Sequence, residues 1–97
     1  MAKFHFLNKA LDDLTEIWEY TIDEWSEKQA DRYYSLLIDS CTELAENPYL
    51  GKLYNEISHN LYGHKSAEHI IFYFIIDSQE IEIVRILHGR MDLNRKF

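Results

Sequence analysis

The stretch HIIFYFIIDSQEIEIVRIL, His69–Leu87, decides the fold. Its first run, His69–Ile76, is dense in β-branched and aromatic residues, the composition of a strand. Asp77-Ser78-Gln79 carries turn chemistry, and Glu80–Leu87 returns as a second strand. Two such runs across a short polar turn read as an antiparallel hairpin. In the second run Ile81, Ile83, Arg85 and Leu87 share one face, and Glu82, Val84, Ile86 and His88 the other. Both faces are largely apolar past Glu82, so this strand is expected inside a sheet. On an unbroken strand Arg85 and His88 point to opposite faces. They converge only if the strand ends or bulges near Leu87, which Gly89 would permit.

Upstream of the hairpin the periodicity changes. Lys3–Leu7 alternates Phe4 and Phe6 with His5 and reads as a short strand. Asn8 offers an N-cap oxygen. Leu11, Leu14, Ile17, Trp18, Ile22 and Trp25 then recur at spacings of three and four, one face of a helix, with Asp12, Asp13, Glu16, Glu19 and Asp23 mostly turned away. The two tryptophans on that face read as packing. Asp12 and Asp13, neighbours on a helix, point about 100° apart and make no catalytic pair; their expected role is to suit the positive end of the helix dipole. Ser26-Glu27-Lys28-Gln29 has capping-box form and starts a second helix. Ala30, Tyr33, Tyr34, Leu37, Cys41, Leu44 and Ala45 carry its apolar stripe until Asn47-Pro48 stops it. The short turn around Trp25 and Ser26 makes the two helices an antiparallel hairpin. Tyr49–Asn60 reads as a loop and Leu61–Ala67 as a weaker strand. The expected order is β-α-α-β-β-β: an α+β fold of two layers, a helical hairpin packed on a curved antiparallel sheet, in one domain over residues 1–97.

Composition bounds the function. The chain has 97 residues, 46% of them hydrophobic, with seven tyrosines, five phenylalanines and two tryptophans, enough for one compact core. No apolar run is long enough to span a membrane, and MAKFHFLNKA is too short and too polar for a signal peptide. A single cysteine, Cys41, makes no internal disulfide, fits a reducing cytoplasm and sits on an apolar helix stripe as a small core hydrophobe. The net charge is −7, unevenly spread: Leu11–Glu46 holds eleven acids against Lys28 and Arg32, or −9, whereas Arg85–Phe97 carries +3. The acidic middle reads as a solvated helix face, and it also repels nucleic acid, whose phosphates need Lys and Arg. His59, His64 and His69 recur every five residues, a spacing that suits no helical or strand metal motif, so no metal or other cofactor is expected. Lys65, His69, Arg85, His88 and Arg90 form the one cluster with chemical reach. Histidine can move a proton and arginine can stabilise a phosphoryl oxyanion, the parts of a ribonuclease. The plainer reading is that Arg85 pairs with a carboxylate and His88 caps a strand end.

The residues resemble the RelE/ParE toxin superfamily, and most the ParE-like branch. The resemblance is carried by Ala10-Leu-Asp-Asp-Leu-Thr-Glu-Ile-Trp-Glu-Tyr20, Gln29-Ala-Asp-Arg-Tyr33 and Leu44-Ala-Glu-Asn-Pro-Tyr-Leu-Gly51. His69-Ile-Ile-Phe-Tyr73 and Ile83-Val-Arg-Ile-Leu-His-Gly-Arg-Met-Asp92 continue it in order over nearly the whole chain. It implies the same β-α-α-β-β-β fold and the toxin half of a type II toxin–antitoxin system, associated with growth inhibition and plasmid stabilisation. A cognate antitoxin that folds on binding, with no direct sequence-specific nucleic acid contact, is implied as partner. The ParE-like branch implies a non-enzymatic DNA gyrase inhibitor; the RelE-like branch implies a ribosome-dependent mRNA endoribonuclease, with His88 as acid or base and Arg85 or Arg90 on the phosphate. The acidic chain favours a protein target. A non-toxic, antitoxin-binding remnant is the third reading, and homodimerisation of the isolated toxin is left open. The residues expected to contact target or antitoxin are Arg85, His88, Arg90 and Met91, with Arg95 and Lys96 in the basic tail.

Overall fold

A computed structural model of the chain describes residues 2–90. Strand β1 (Lys3–Phe6) leads into helix α1 (Asn8–Glu24), which turns through Trp25 and Ser26 into helix α2 (Glu27–Glu46). A 3-10 turn (Pro48–Leu50) and a two-residue strand β2 (Lys52–Leu53) follow, then β3 (Tyr62–Ser66), β4 (His69–Asp77) and β5 (Glu80–His88). The expected order therefore stands, with β2 added inside the segment read as a loop.

The strands form one sheet in the order β1-β5-β4-β3-β2. Strands β2 to β5 run antiparallel, but β1 pairs with β5 in parallel, so the sheet is mixed rather than wholly antiparallel. The helical hairpin that follows β1 is the long excursion such a pairing needs. β5 has neighbours on both edges, as its two apolar faces imply.

Two clusters hold the layers together. On the helix side Leu14, Leu37, Cys41 and Leu44 pack with Ile71, Tyr73, Ile81, Ile83 and Ile86, and Phe4 and Phe6 close the β1 end. On the other side Leu61, Ile70, Phe72, Val84 and Leu87 are covered by Tyr54 and Ile57 from the segment between β2 and β3. Burial pushes the Cys41 thiol up to about 12, so it is inert inside the core.

The helix boundaries show where local signals were overruled. Ser26 caps α2, its Oγ accepting the Gln29 N–H at 3.1 Å. Asn8 does not cap α1: it is already helical, and Leu7 holds the N-cap position without a side-chain bond. The reason is the sheet. The Leu7 N–H donates to the Ile83 carbonyl at 2.9 Å, so the helix starts directly where the ladder ends. The apolar face of α1 is also narrower than its spacing suggests. Ala10, Asp13 and Leu14 are buried, while Leu11, Ile22 and Trp25 are 45%, 36% and 73% exposed. Full burial in α1 is confined to its first half, which leaves Ile22 and Trp25 with no core to enter.

The register of β4 on β5 slips twice, near its middle and again beside the turn, between Ile75 and Asp77. Phe72 faces Arg85 while Tyr73 faces Ile83, so Val84 is the extra residue of a bulge. The strict alternation therefore breaks: Ile83 and Ile86 both enter the helix-side core, and Val84 and Leu87 both enter the other.

Candidate functional site

The site lies at the far end of β5, past the last residue that β1 covers. The β1 ladder stops at Phe6 opposite Ile83. Beyond it α1 crosses the uncovered edge of β5 and presents Asp13. One carboxylate oxygen of Asp13 accepts from Arg85 Nε at 2.8 Å and from the Ile86 N–H at 2.9 Å; the other accepts from Arg85 Nη2 at 2.9 Å. The Asp13 side chain is 8% exposed. These hydrogen bonds to Asp13 hold the Arg85 guanidinium above its usual range. Asp13 was expected to face solvent and serve the helix start; it instead faces the core, and no acid occupies the first turn of α1. Because β1 ends opposite Ile83, the Ile86 N–H at this open edge of β5 meets Asp13 rather than a strand, and the Arg85 guanidinium reaches the same carboxylate.

His88 is the last residue of β5, not part of the turn beyond, and it stands directly across from His69 of β4. The two rings meet edge to face with centroids 5.3 Å apart. His88 Nδ1 accepts the Arg90 N–H at 3.1 Å. His69 Nδ1 lies 2.7 Å from the Tyr33 hydroxyl of α2, and that oxygen also accepts the Glu68 N–H at 3.1 Å. The Tyr33 hydroxyl and His69 Nδ1 share one hydrogen bond, whose donor is set by the tautomer of the neutral ring. Burial, then the neighbouring His88, lowers the His69 pKa to about 4. The Gly89 N–H donates to the Glu68 carbonyl at 2.9 Å and closes the turn.

The cluster read from sequence is thus only partly assembled. His69 and His88 meet. Arg85 is paired with a carboxylate, as the plainer reading had it. Arg90 is exposed in the turn. Lys65 is exposed and opposite Ile70, so it belongs to the sheet face away from the helices and from His69. Met91, Arg95 and Lys96 lie outside the described residues. Among the described residues no group of three or more His, Cys, Asp or Glu side chains is placed to hold a metal ion. Sequence reasoning missed Asp13 and Tyr33 as site residues. A signal for Asp13 existed: it shares the 10-13-14-17 helical face with Ala10, Leu14 and Ile17. Tyr33 gave none, since a phenol on an apolar stripe reads as packing.

The family model for the ParE toxin of type II toxin–antitoxin systems matches residues 4–93. This chain belongs to the ParE toxin family. Toxin ParE1 of Mycobacterium tuberculosis is 35% identical over 82 residues, covering 84% of each chain. Toxin ParE1 of Caulobacter vibrioides is 28% identical over 92 residues, covering 95% of this chain and 94% of its own. The fold agrees. A chain of the chromosomal ParDE toxin–antitoxin system of P. aeruginosa superposes with a TM-score of 0.76 at 16% identity, over 91% of this chain and 96% of that one. A chain of the RelBE2 toxin–antitoxin complex of Mycobacterium tuberculosis does so with a TM-score of 0.69 at 17% identity, over 90% and 96%. The protein is a ParE-family toxin of a type II toxin–antitoxin system built on the fold these assemblies share.

Proposed function

We infer that this ParE-family toxin inhibits DNA gyrase by binding it, without bond chemistry of its own, and that a cognate antitoxin neutralises it by folding across its surface. One observation carries the gyrase reading: the guanidinium at the strand end is bonded to Asp13 at two positions rather than presented to a phosphate. An mRNA cleaver needs cations directed at the scissile group and a basic surface for the strand. This toxin carries −9 over Leu11–Glu46, and its strand-end arginine is neutralised in place. Such a surface suits a protein partner better than an RNA backbone. The cytoplasm, where gyrase works and where a lone buried thiol stays reduced, is the compartment that fits. No helix among the described residues is long and apolar enough to cross a membrane.

A supercoiling assay with purified toxin and gyrase tests this. The expected result is loss of supercoiling at micromolar toxin; unaltered supercoiling by a toxin with intact fold overturns it. The contact of His88 with His69, itself bonded to Tyr33, favours one second reading, a ribosome-dependent endoribonuclease with His88 as acid or base. Toeprinting on translating ribosomes separates the two: cleavage by wild type that His88→Ala abolishes selects the nuclease. Inducible expression with a growth curve tests toxicity itself, and unimpaired growth would mark a remnant that only binds antitoxin.

A further inference from the structure

The face of β1 turned away from the helices carries an ion cluster that the site at the other end of β5 does not use. Phe4 and Phe6 enter the helix-side core, so Lys3 and His5 project to the opposite face, where Glu80 and Glu82 of β5 lie across from them. His5 Nδ1 is 2.7 Å from Glu80 Oε2, and His5 Nε2 is 3.0 Å from Glu82 Oε2. Lys3 Nζ stands 3.9 Å from the second Glu80 oxygen. A carboxylate only accepts, and a neutral imidazole has one N–H. Two carboxylates on both ring nitrogens are matched only by the imidazolium.

The strand held by this cluster is short and lies at the sheet edge, with Phe4 and Phe6 anchoring its inner face in the helix-side core. β1 has four residues and one neighbouring strand. The Lys3 N–H to the Gln79 carbonyl at 2.8 Å and the Leu7 N–H to the Ile83 carbonyl at 2.9 Å mark the two ends of its ladder. Beneath it lie the fully buried Ile81 and Ile83. We propose that β1 is a strap latched onto β5 by a protonated His5 gripped between Glu80 and Glu82, and that loss of this proton loosens the latch, so that the strand opens from the β5 edge more often. Deprotonation turns one of the two bonds into a lone pair facing a carboxylate, and leaves Glu80 and Glu82 balanced by Lys3 alone among the described charged groups facing the ring. Across the ladder from Glu80, Asp77 of β4 adds a third carboxylate, and Phe74, across from Glu82, contributes no charge. An uncovered strand edge is a template for pairing with another extended segment.

The direction follows from linkage. The bonds to Glu82 and Glu80 raise the His5 pKa above its ordinary value of 6.5. The latch is therefore fully present below that value and is lost as pH rises through the folded one. The inference is independent of which target the toxin binds.

Nuclear magnetic resonance of the whole chain tests it in two parts. The His5 ring is titrated, and exchange of the Leu7 amide is compared with amides of the β4–β5 ladder, each corrected for intrinsic base-catalysed rate. The expected result is a His5 midpoint above 6.5 that Glu82→Gln lowers. Opening at Leu7 should rise by about two- to fivefold, relative to the β4–β5 ladder, as pH crosses that midpoint, the range for exposed ion pairs. In His5→Gln, Leu7 protection should carry no such pH dependence. A midpoint at or below 6.5, a Leu7 protection that ignores the titration, or the same pH dependence in His5→Gln overturns the latch.

Discussion

Asp13 satisfies a guanidinium and a backbone N–H with one carboxylate, at the edge of β5 that β1 leaves open beyond Ile83. Removing the carboxylate leaves a partly buried charge and an orphaned donor together. Asp13→Ala is expected to destabilise the fold by about 3 kcal/mol, the lower end for breaking a buried pair, read as a lowered urea midpoint at unchanged slope. Asp13→Asn keeps an acceptor for the Ile86 N–H and should fall between the two. His69 gives a second prediction at this scale. The unfolded chain takes up a proton on this ring near 6.5, while the folded chain refuses it until about 4. The unfolded state therefore binds more protons in that window, and stability falls as pH is lowered through it. The ring's partial exposure discounts the effect to on the order of 1 kcal/mol. A ring titration should place His69 well below a free histidine, and acid unfolding of His69→Gln should lack this part of the pH dependence.

Tyr73 governs how the second helix hands over to the sheet. Its ring is fully buried and stacks on Tyr62 with centroids 5.7 Å apart. Its hydroxyl donates to the Pro48 carbonyl at 2.6 Å and accepts the Gly51 N–H at 3.1 Å, so one side chain of β4 fixes both ends of the turn that leads to β2. Tyr73→Phe is expected to cost about 1–2 kcal/mol for two lost bonds at a buried site, with amide exchange quickened first at Gly51. Gly51→Ala should cost more, because the added methyl would collide with the Tyr73 hydroxyl. The elements themselves were legible where the pattern was long. The β-branched and aromatic run of β4, the two-face pattern of β5, the capping box at Ser26 and the stop at Pro48 are local signals, and each marks an observed boundary or strand. What was hidden is tertiary. The parallel pairing of β1 depends on where the helical hairpin sets the chain down. The lost cap at Asn8 follows from that pairing, since Leu7 is still bonded to β5 when the helix begins. A bulge leaves no mark in a run of Ile, Val and Leu, because either face accepts them.

The whole molecule keeps its charges apart, and this bears on what it can touch. The candidate site was legible as a list of residues but not as a geometry: the strand-end cations stand in the sequence, while Asp13, which neutralises one of them, lies 72 positions away. The stretch Leu11–Glu46 of the helical layer carries −9; on the sheet, the exposed Lys and Arg among the described residues are Lys3, Lys52, Lys65 and, in the turn after β5, Arg90. A nucleic acid approaching this toxin would meet a repulsive field from the helical layer and few phosphate partners on the sheet. Each phosphate neutralised adds roughly 0.9 to the slope of log affinity against log salt on duplex DNA. The toxin alone should therefore show no saturable binding to labelled duplex DNA or single-stranded RNA at micromolar protein and physiological salt, and only a shallow salt slope when salt is lowered. Fluorescence anisotropy measures both. A steep slope would mean that several cations converge on one strand, and it would move the weight from a protein target to the ribonuclease reading. A shallow slope together with loss of gyrase supercoiling would tie the toxin's action to protein surface alone.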